Sequence, residues 1–229
     1  MNTKLLIYAA YTELTKTARG TLKGTKIEDI TNTIEKFAIF SAVAATTAAI
    51  PNVGGVISMI SQTGLVWGTY IAINKQLGIS MSDNLAKFIG SAMLTNLATN
   101  AASYLVAYIG AGILSLLPIS NILSIALLAV MGYVLIYASA ILYLKLLTEV
   151  MRTKGTFNLD ESDATKNMIK NVVKNSNVKE IIKEGRNAFK EAQKNGQFQA
   201  AKDNPTCPHC GETIKPGQKF CSRTGAQLF

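Results

Sequence analysis

The chain has 229 residues and a formal net charge of +9, from 23 Lys and Arg against 14 Asp and Glu. Its three cysteines all follow residue 206, and an odd number at this spacing argues against the disulfide framework of a secreted domain. Residues 1–36 are mixed polar and charged, which excludes a cleavable secretory signal there and predicts a cytosolic amphipathic segment.

Two long stretches without charge follow this segment. Residues 37–74 and 88–144 contain no Asp, Glu, Lys, Arg or His. Because about 20 apolar residues cross a bilayer as a helix, each stretch is long enough for two helices. We therefore expect a four-helix membrane domain over residues 37–148, built from hairpins 37–74 and 88–146.

A proline lies near the middle of each uncharged stretch, Pro51 in the first and Pro118 in the second. Proline removes a backbone donor and disfavours helix at the preceding residue, so both prolines predict hairpin turns. A buried soluble bundle is the alternative, since the mean hydropathy of the whole chain is only +0.23. The membrane interpretation is favoured because so small a chain has little polar material to cover these stretches. The first hairpin could also be re-entrant.

Basic residues flank both hairpins on the same side. Lys75 and Lys87 lie between the hairpins, and further lysines and arginines precede the first and follow the second. The excess of positive charge on cytoplasmic loops then places both termini in the cytoplasm.

Small and polar residues inside the hairpins predict helix packing. Gly64 and Gly68 form a GxxxG pattern that lets helix backbones approach closely in lipid, which supports packing within the bundle or a homo-oligomer. Asn96 and Asn100 are one helical turn apart and predict either interhelical hydrogen bonds or a polar pore lining. The uncharged stretches lack the ionisable residues that mark ion-coupled transport.

The region 149–194 predicts a basic amphipathic helix with a break near residues 175–177. It could pack on the bundle, lie on an anionic leaflet or pair with a partner helix. Its charge favours lipid head groups over nucleic acid. Residues 195–206 are rich in Gly, Gln, Ala and Asn and predict a flexible linker to a separate module at 207–229.

That module has two knuckles of the type that binds zinc, and the second is incomplete. Cys207 and Cys210 form one CxxC, whereas Cys221 is followed three residues later by Thr224. The stretch resembles the short zinc ribbons found at the ends of many bacterial proteins, which implies a small β-hairpin module. The family has its fourth cysteine where this chain has Thr224.

The missing cysteine leaves two outcomes for the metal. Zn²⁺ binds through Cys207, Cys210 and Cys221 with water, a partner group or His209 as fourth ligand, or the module folds without metal. His209 is the chain's single histidine, and a side chain at this place in the knuckle normally points outward.

The middle of the chain also carries a resemblance. Its Ala-Ala-Ile-Pro-Asn-Val-Gly-Gly turn, the following Ala-Ile-Asn-Lys-Gln-Leu-Gly link and the later Leu-Leu-Pro-Ile-Ser-Asn turn resemble a bacterial membrane-associated double-hairpin domain of unknown function. That resemblance implies the bacterial inner membrane and a small GTPase as partner. Residues 20–26 miss the spacing of a phosphate-binding loop, so a partner would carry any nucleotide switch.

The sequence thus predicts a mainly α protein: a membrane bundle of two hairpins, a basic amphipathic helix and a C-terminal ribbon. The favoured function is a non-enzymatic membrane scaffold or sensor whose cytosolic ribbon recruits a protein partner. The alternative is a pore-forming or membrane-perturbing effector that oligomerises through its Ala- and Gly-rich hairpins. An enzyme is least supported, because no nucleophile and base or paired carboxylates stand out.

Overall fold

The computed structural model describes residues 4–47, 54–105, 121–215, 218 and 220–225. The helices in this part of the chain are α1 (Leu5–Ala18), α2 (Ile27–Thr47), α3 (Gly54–Leu77), α4 (Asp83–Leu105), α5 (Asn121–Lys154), α6 (Asp163–Asn175), α7 (Val178–Lys194) and α8 (Gln197–Asp203). An antiparallel bridge joins Thr206 and Thr213 in the C-terminal module, and Phe220 is also in a β-bridge conformation. The prediction of a mainly helical protein is confirmed, whereas the ribbon's full β-hairpin stays a prediction.

Helix α5 is the central element of the fold. It packs against α1, α2, α3, α4, α6 and α7, and most side chains from Tyr133 to Val150 are fully buried. Its segment Leu128–Lys154 has a mean hydropathy of 1.8 and is, among the described residues, the one helix long and apolar enough to span a membrane. However, 78% of its apolar window is buried inside the protein. The membrane-spanning role predicted for the other helices stays a prediction.

Amphipathic helices cover the C-terminal half of α5. Helix α1 buries Ile7 and Leu14, and α7 buries Ile181, Ile182 and Phe189, while the charged residues of these helices are exposed except for the half-buried Glu184 and Arg186. Their apolar faces are therefore used inside the protein. Of the three roles predicted for the basic region, packing on the bundle is the one that the structure shows.

Local capping separates the two helices of this basic region. Ser162 caps α6 by accepting the backbone N–H of Thr165 at 3.3 Å. Asn177 caps α7 by accepting the N–H of Glu180 at 3.2 Å. Side-chain oxygens at these positions satisfy amides that the first helical turn leaves without partners. The break predicted near residues 175–177 is confirmed at Ser176.

Two predicted boundaries fall inside helices. Helix α2 begins at Ile27, so the boundary at residue 36 lies within it, and α5 continues past residue 148 to Lys154. The end of an uncharged stretch is therefore not the end of a helix, because charged residues such as Glu35 and Lys36 extend a helix readily. An ion pair of 2.8 Å between Lys4 and Glu35 further joins the N-terminal segment to the bundle.

Several predicted features lie partly or wholly outside the described residues. Pro51 and Pro118 lie outside them, as does the side chain of Asn100. The amide of Asn96 donates to the carbonyl of Ala92 in its own helix at 2.8 Å. Thr95 and Thr99 are exposed and donate to carbonyls of α4 in the same way, so this face of α4 is polar.

A half-buried carboxylate joins three helices. The Glu184 carboxylate of α7 accepts the backbone N–H of Leu6 at 3.0 Å and the hydroxyl of Tyr137 at 2.9 Å. The carboxylate thus caps the N-terminus of α1 and holds it against α5. Burial raises the pKa of Glu184 above its ordinary value, and these two hydrogen bonds oppose the rise.

Replacing Glu184 tests this joint through its pH dependence. With a raised folded pKa, the stabilising contribution is complete below the unfolded pKa and is lost as pH rises through the folded pKa. The free energy of unfolding of the wild type should therefore fall relative to E184Q as pH rises from the unfolded pKa of about 4 through the raised folded pKa. E184A should lose about 1–3 kcal/mol against E184Q, because two donors lose their acceptor. Denaturant unfolding across this range measures both effects, and parallel profiles for wild type and E184Q would contradict the account.

Candidate metal centre

A short two-stranded contact holds the first knuckle. The N–H of Cys207 donates to the carbonyl of Glu212 at 2.8 Å, and the N–H of Ile214 donates to Pro205 at the same distance. Ile214 is only 4% exposed and belongs to the hydrophobic core. The knuckle is therefore folded back on itself and fixed to the rest of the protein.

The two knuckles form the same turn. The N–H of Gly211 donates to Cys207 and that of Gly225 donates to Cys221, each at 2.8 Å. Both glycines have positive φ, 76° and 68°, a conformation that glycine adopts at no steric cost. Thr224 therefore holds the place in the second turn that Cys210 holds in the first.

The three cysteines meet as predicted. The sulfurs of Cys207, Cys210 and Cys221 all lie within 4.8 Å of one another, and Cys210 and Cys221 are 3.5 Å apart. Tetrahedral zinc with bonds of about 2.3 Å would place two thiolate sulfurs about 3.8 Å apart. This donor set can hold a metal ion, and its softness and spacing fit Zn²⁺.

The buried setting of the cysteines separates their acidities. Burial raises the pKa of Cys207 to about 11, whereas a hydrogen bond from the Thr224 side chain lowers the pKa of Cys221 to about 6. Thr224 thus stabilises the thiolate that the absent cysteine would have accompanied. Because metal binding requires thiolates, metal binding would be accompanied by release of the proton of Cys207.

A carboxylate that the sequence did not single out as a ligand lies beside the cluster. One oxygen of Glu212 is 4.0 Å from the sulfur of Cys221, and the other accepts the hydroxyl of Ser222 at 3.1 Å. In the sequence, the only indication that Glu212 lies beside the cluster is its position directly after Gly211, the glycine that ends the first turn.

His209 points away from the sulfurs and into the helical bundle. A Cβ added to Gly68 of α3 would lie 2.2 Å from Cε1 of His209, so the imidazole fills the space that this glycine leaves. Its ring also meets Phe37 of α2 edge-on, with ring centroids 5.0 Å apart. Burial lowers the pKa of His209, which favours the neutral ring. We call this contact of His209 with Gly68 and Phe37 the histidine socket.

The socket corrects two sequence predictions. The structure neither brings His209 to the sulfurs as a fourth ligand nor leaves it pointing outward. At Gly68 the close approach is made by this side chain and also by Phe37 of α2, whose Cε1 would lie 2.9 Å from an added Cβ, while a Cβ at Gly64 would meet nothing within 4 Å. The reason is tertiary, since the knuckle lies against α2 and α3, which no local pattern encodes.

The predicted flexible linker is also corrected. Residues Gln197–Asp203 form α8, which packs against α2 and α7. Phe198 packs against Phe189 with centroids 4.8 Å apart and meets Tyr133 edge-on at 6.1 Å. This apolar contact orders a segment whose composition alone favoured a tether.

No protein-family model, curated protein or solved structure matches the chain.

An alanine at position 68 tests the histidine socket, with G64A as a matched control on the same helix. Taken alone, replacement of a helical glycine by alanine stabilises the helix by up to about 1 kcal/mol at either position. G68A should nonetheless destabilise the protein by about 1–3 kcal/mol through overpacking and expose the module. Thermal unfolding and tryptic cleavage after Lys194 and Lys202 measure the two effects.

The double variant G68A/H209A is the control for this experiment. Removing the imidazole relieves the clash, so the alanine at position 68 should cost less in the H209A background. Equal effects of G64A and G68A, or the same cost of G68A in both backgrounds, would contradict the socket.

Proposed function

We propose that this protein is a non-enzymatic, membrane-associated scaffold that presents a C-terminal zinc module for recruitment of a protein partner. The histidine socket carries the proposal, because it seats the three-cysteine module directly on two helices of the predicted membrane domain. A signal at either part could then reach the other through α2 and α3.

Membrane association is supported by the distribution of charge. The uncharged stretches 37–74 and 88–144 and the spanning length of Leu128–Lys154 match what a bilayer requires. The helices α1, α6 and α7 cover the C-terminal half of α5 and turn their polar faces outward, which suits a base in the aqueous phase. Lipid contact would then fall on the uncharged segments away from this base, in the bacterial inner membrane with both termini in the cytoplasm.

Partner recruitment is supported by the outer face of the module. Phe220, next to the ligand Cys221, is 58% exposed, and Ser222 and Arg223 beside it are also exposed. An exposed aromatic residue beside an arginine is the composition typical of an interface anchor. A small GTPase is the partner class that the resemblance implies.

A pore-forming effector is the second candidate, and the exposed polar face of α4 favours it. Ser91, Thr95 and Thr99 lie on this face at helical spacing in the uncharged part of α4. Several copies arranged around an axis could line a pore with these hydroxyls. Release of dye from liposomes would support this candidate, whereas dye retention with stable insertion supports the scaffold.

Carbonate extraction of the full-length protein tests membrane insertion. The variant A102K places a charge midway between Lys87 and the predicted turn at Pro118, at a cost of about 2.5–3.5 kcal/mol if that position lies at the bilayer centre. T12K, at an exposed position of α1, is the matched control. Wild type and T12K should stay in the membrane pellet, and A102K should shift toward the supernatant. Extraction of the wild type into the supernatant would contradict the proposal.

A further inference from the structure

We propose that Glu212 is the fourth zinc ligand, so that the metal centre consists of three cysteines and one glutamate. This inference rests on the zinc module of the proposed function and identifies what compensates for the cysteine missing at position 224.

The distance between the carboxylate and the cluster fits a shared metal. Glu212 Oε2 lies 4.0 Å from Cys221 Sγ. Tetrahedral zinc with bonds of about 2.3 Å to sulfur and about 2.0 Å to oxygen sets these two atoms about 3.5 Å apart. The carboxylate approaches from the side of Cys221, where the second knuckle lacks its own second ligand. The three sulfurs lie within 4.8 Å of one another and the carboxylate lies outside this group, so Glu212 has to rotate toward Cys207 and Cys210 to share the ion.

A hydrogen bond selects which oxygen faces the cluster. The hydroxyl of Ser222 donates to Glu212 Oε1 at 3.1 Å, which leaves Oε2 on the side of the sulfur. Outer hydrogen bonds of this kind orient metal-binding carboxylates and fix one oxygen as the ligand. The backbone adds to this order, because the carbonyl of Glu212 accepts the N–H of Cys207 at 2.8 Å. Glu212 thus forms hydrogen bonds with residues of both knuckles.

Charge also distinguishes Glu212 from the other candidates. Zn²⁺ with three thiolates carries a net charge of −1, and a fourth thiolate makes it −2. A glutamate ligand restores −2, whereas water or the neutral hydroxyl of Thr224 does not. His209 is held in the histidine socket, and Thr224 is engaged with Cys221. Glu212 is therefore the group that reproduces the charge of a complete four-cysteine ribbon.

A double-mutant cycle on the full-length chain tests the assignment. Wild type, E212Q, T224C and E212Q/T224C are prepared free of metal, and zinc affinity is measured by competition with a chromophoric chelator. E212Q should weaken zinc binding at least about tenfold, because a neutral amide replaces an anionic ligand. In the T224C background, E212Q should change the zinc affinity by less than about twofold, because a thiolate fills the fourth position. The zinc-loaded double variant also shows that E212Q leaves the module able to fold.

X-ray absorption of the zinc-loaded protein supplies a readout of the ligands themselves. We expect three sulfurs and one oxygen in the wild type, and four sulfurs in T224C. Equal zinc affinity of wild type and E212Q, with one zinc bound in each, would overturn the role of Glu212 and leave the zinc module intact. A wild type that binds no zinc while T224C binds one would overturn the zinc module and the ligand assignment together.

Discussion

The histidine socket joins the three-cysteine module to two helices of the bundle. Its imidazole belongs to the first knuckle, between Cys207 and Cys210, while Gly68 and Phe37 belong to the uncharged parts of α3 and α2. A side chain at position 68 would remove the space that the imidazole occupies. Geometry at the metal cluster and packing between α2 and α3 are thus constrained by the same residue, which makes the module part of the fold.

The burial of α5 explains how so apolar a chain presents a polar base. Its C-terminal half is covered by α1, α6 and α7, and Glu184 fastens the first and last of these to Tyr137. The amphipathic helices pack their apolar faces against α5 and expose most of their charged residues to solvent. In the proposed membrane protein, lipid contact would be left to the uncharged parts of the hairpins, and the module would lie where their helices meet the aqueous base.

Much of the fold could be predicted from local patterns, and the remainder depended on tertiary contacts. The bundle helices follow from the length of the uncharged stretches, α6 and α7 from apolar periodicity, the break at Ser176 from the polar residues 175–177, and the cysteine cluster from knuckle spacing. The direction of His209 was mispredicted because a turn in isolation exposes this position, and only the gap at Gly68 draws it inward. The order of α8 was missed because it depends on Phe198 meeting Phe189 and Tyr133. Glu212 was passed over as a ligand because its approach to Cys221 depends on how the two knuckles face each other.

The most direct test of the histidine socket uses the fact that the chain has one histidine. In an NMR spectrum of the full-length, zinc-loaded protein, the imidazole protons of His209 can be assigned without ambiguity. If His209 occupies the histidine socket, nuclear Overhauser effects should connect these protons to the ring of Phe37 and to the α-protons of Gly68. A His209 resonance without contacts to α2 or α3 would show a module free of the bundle and would contradict the central claim.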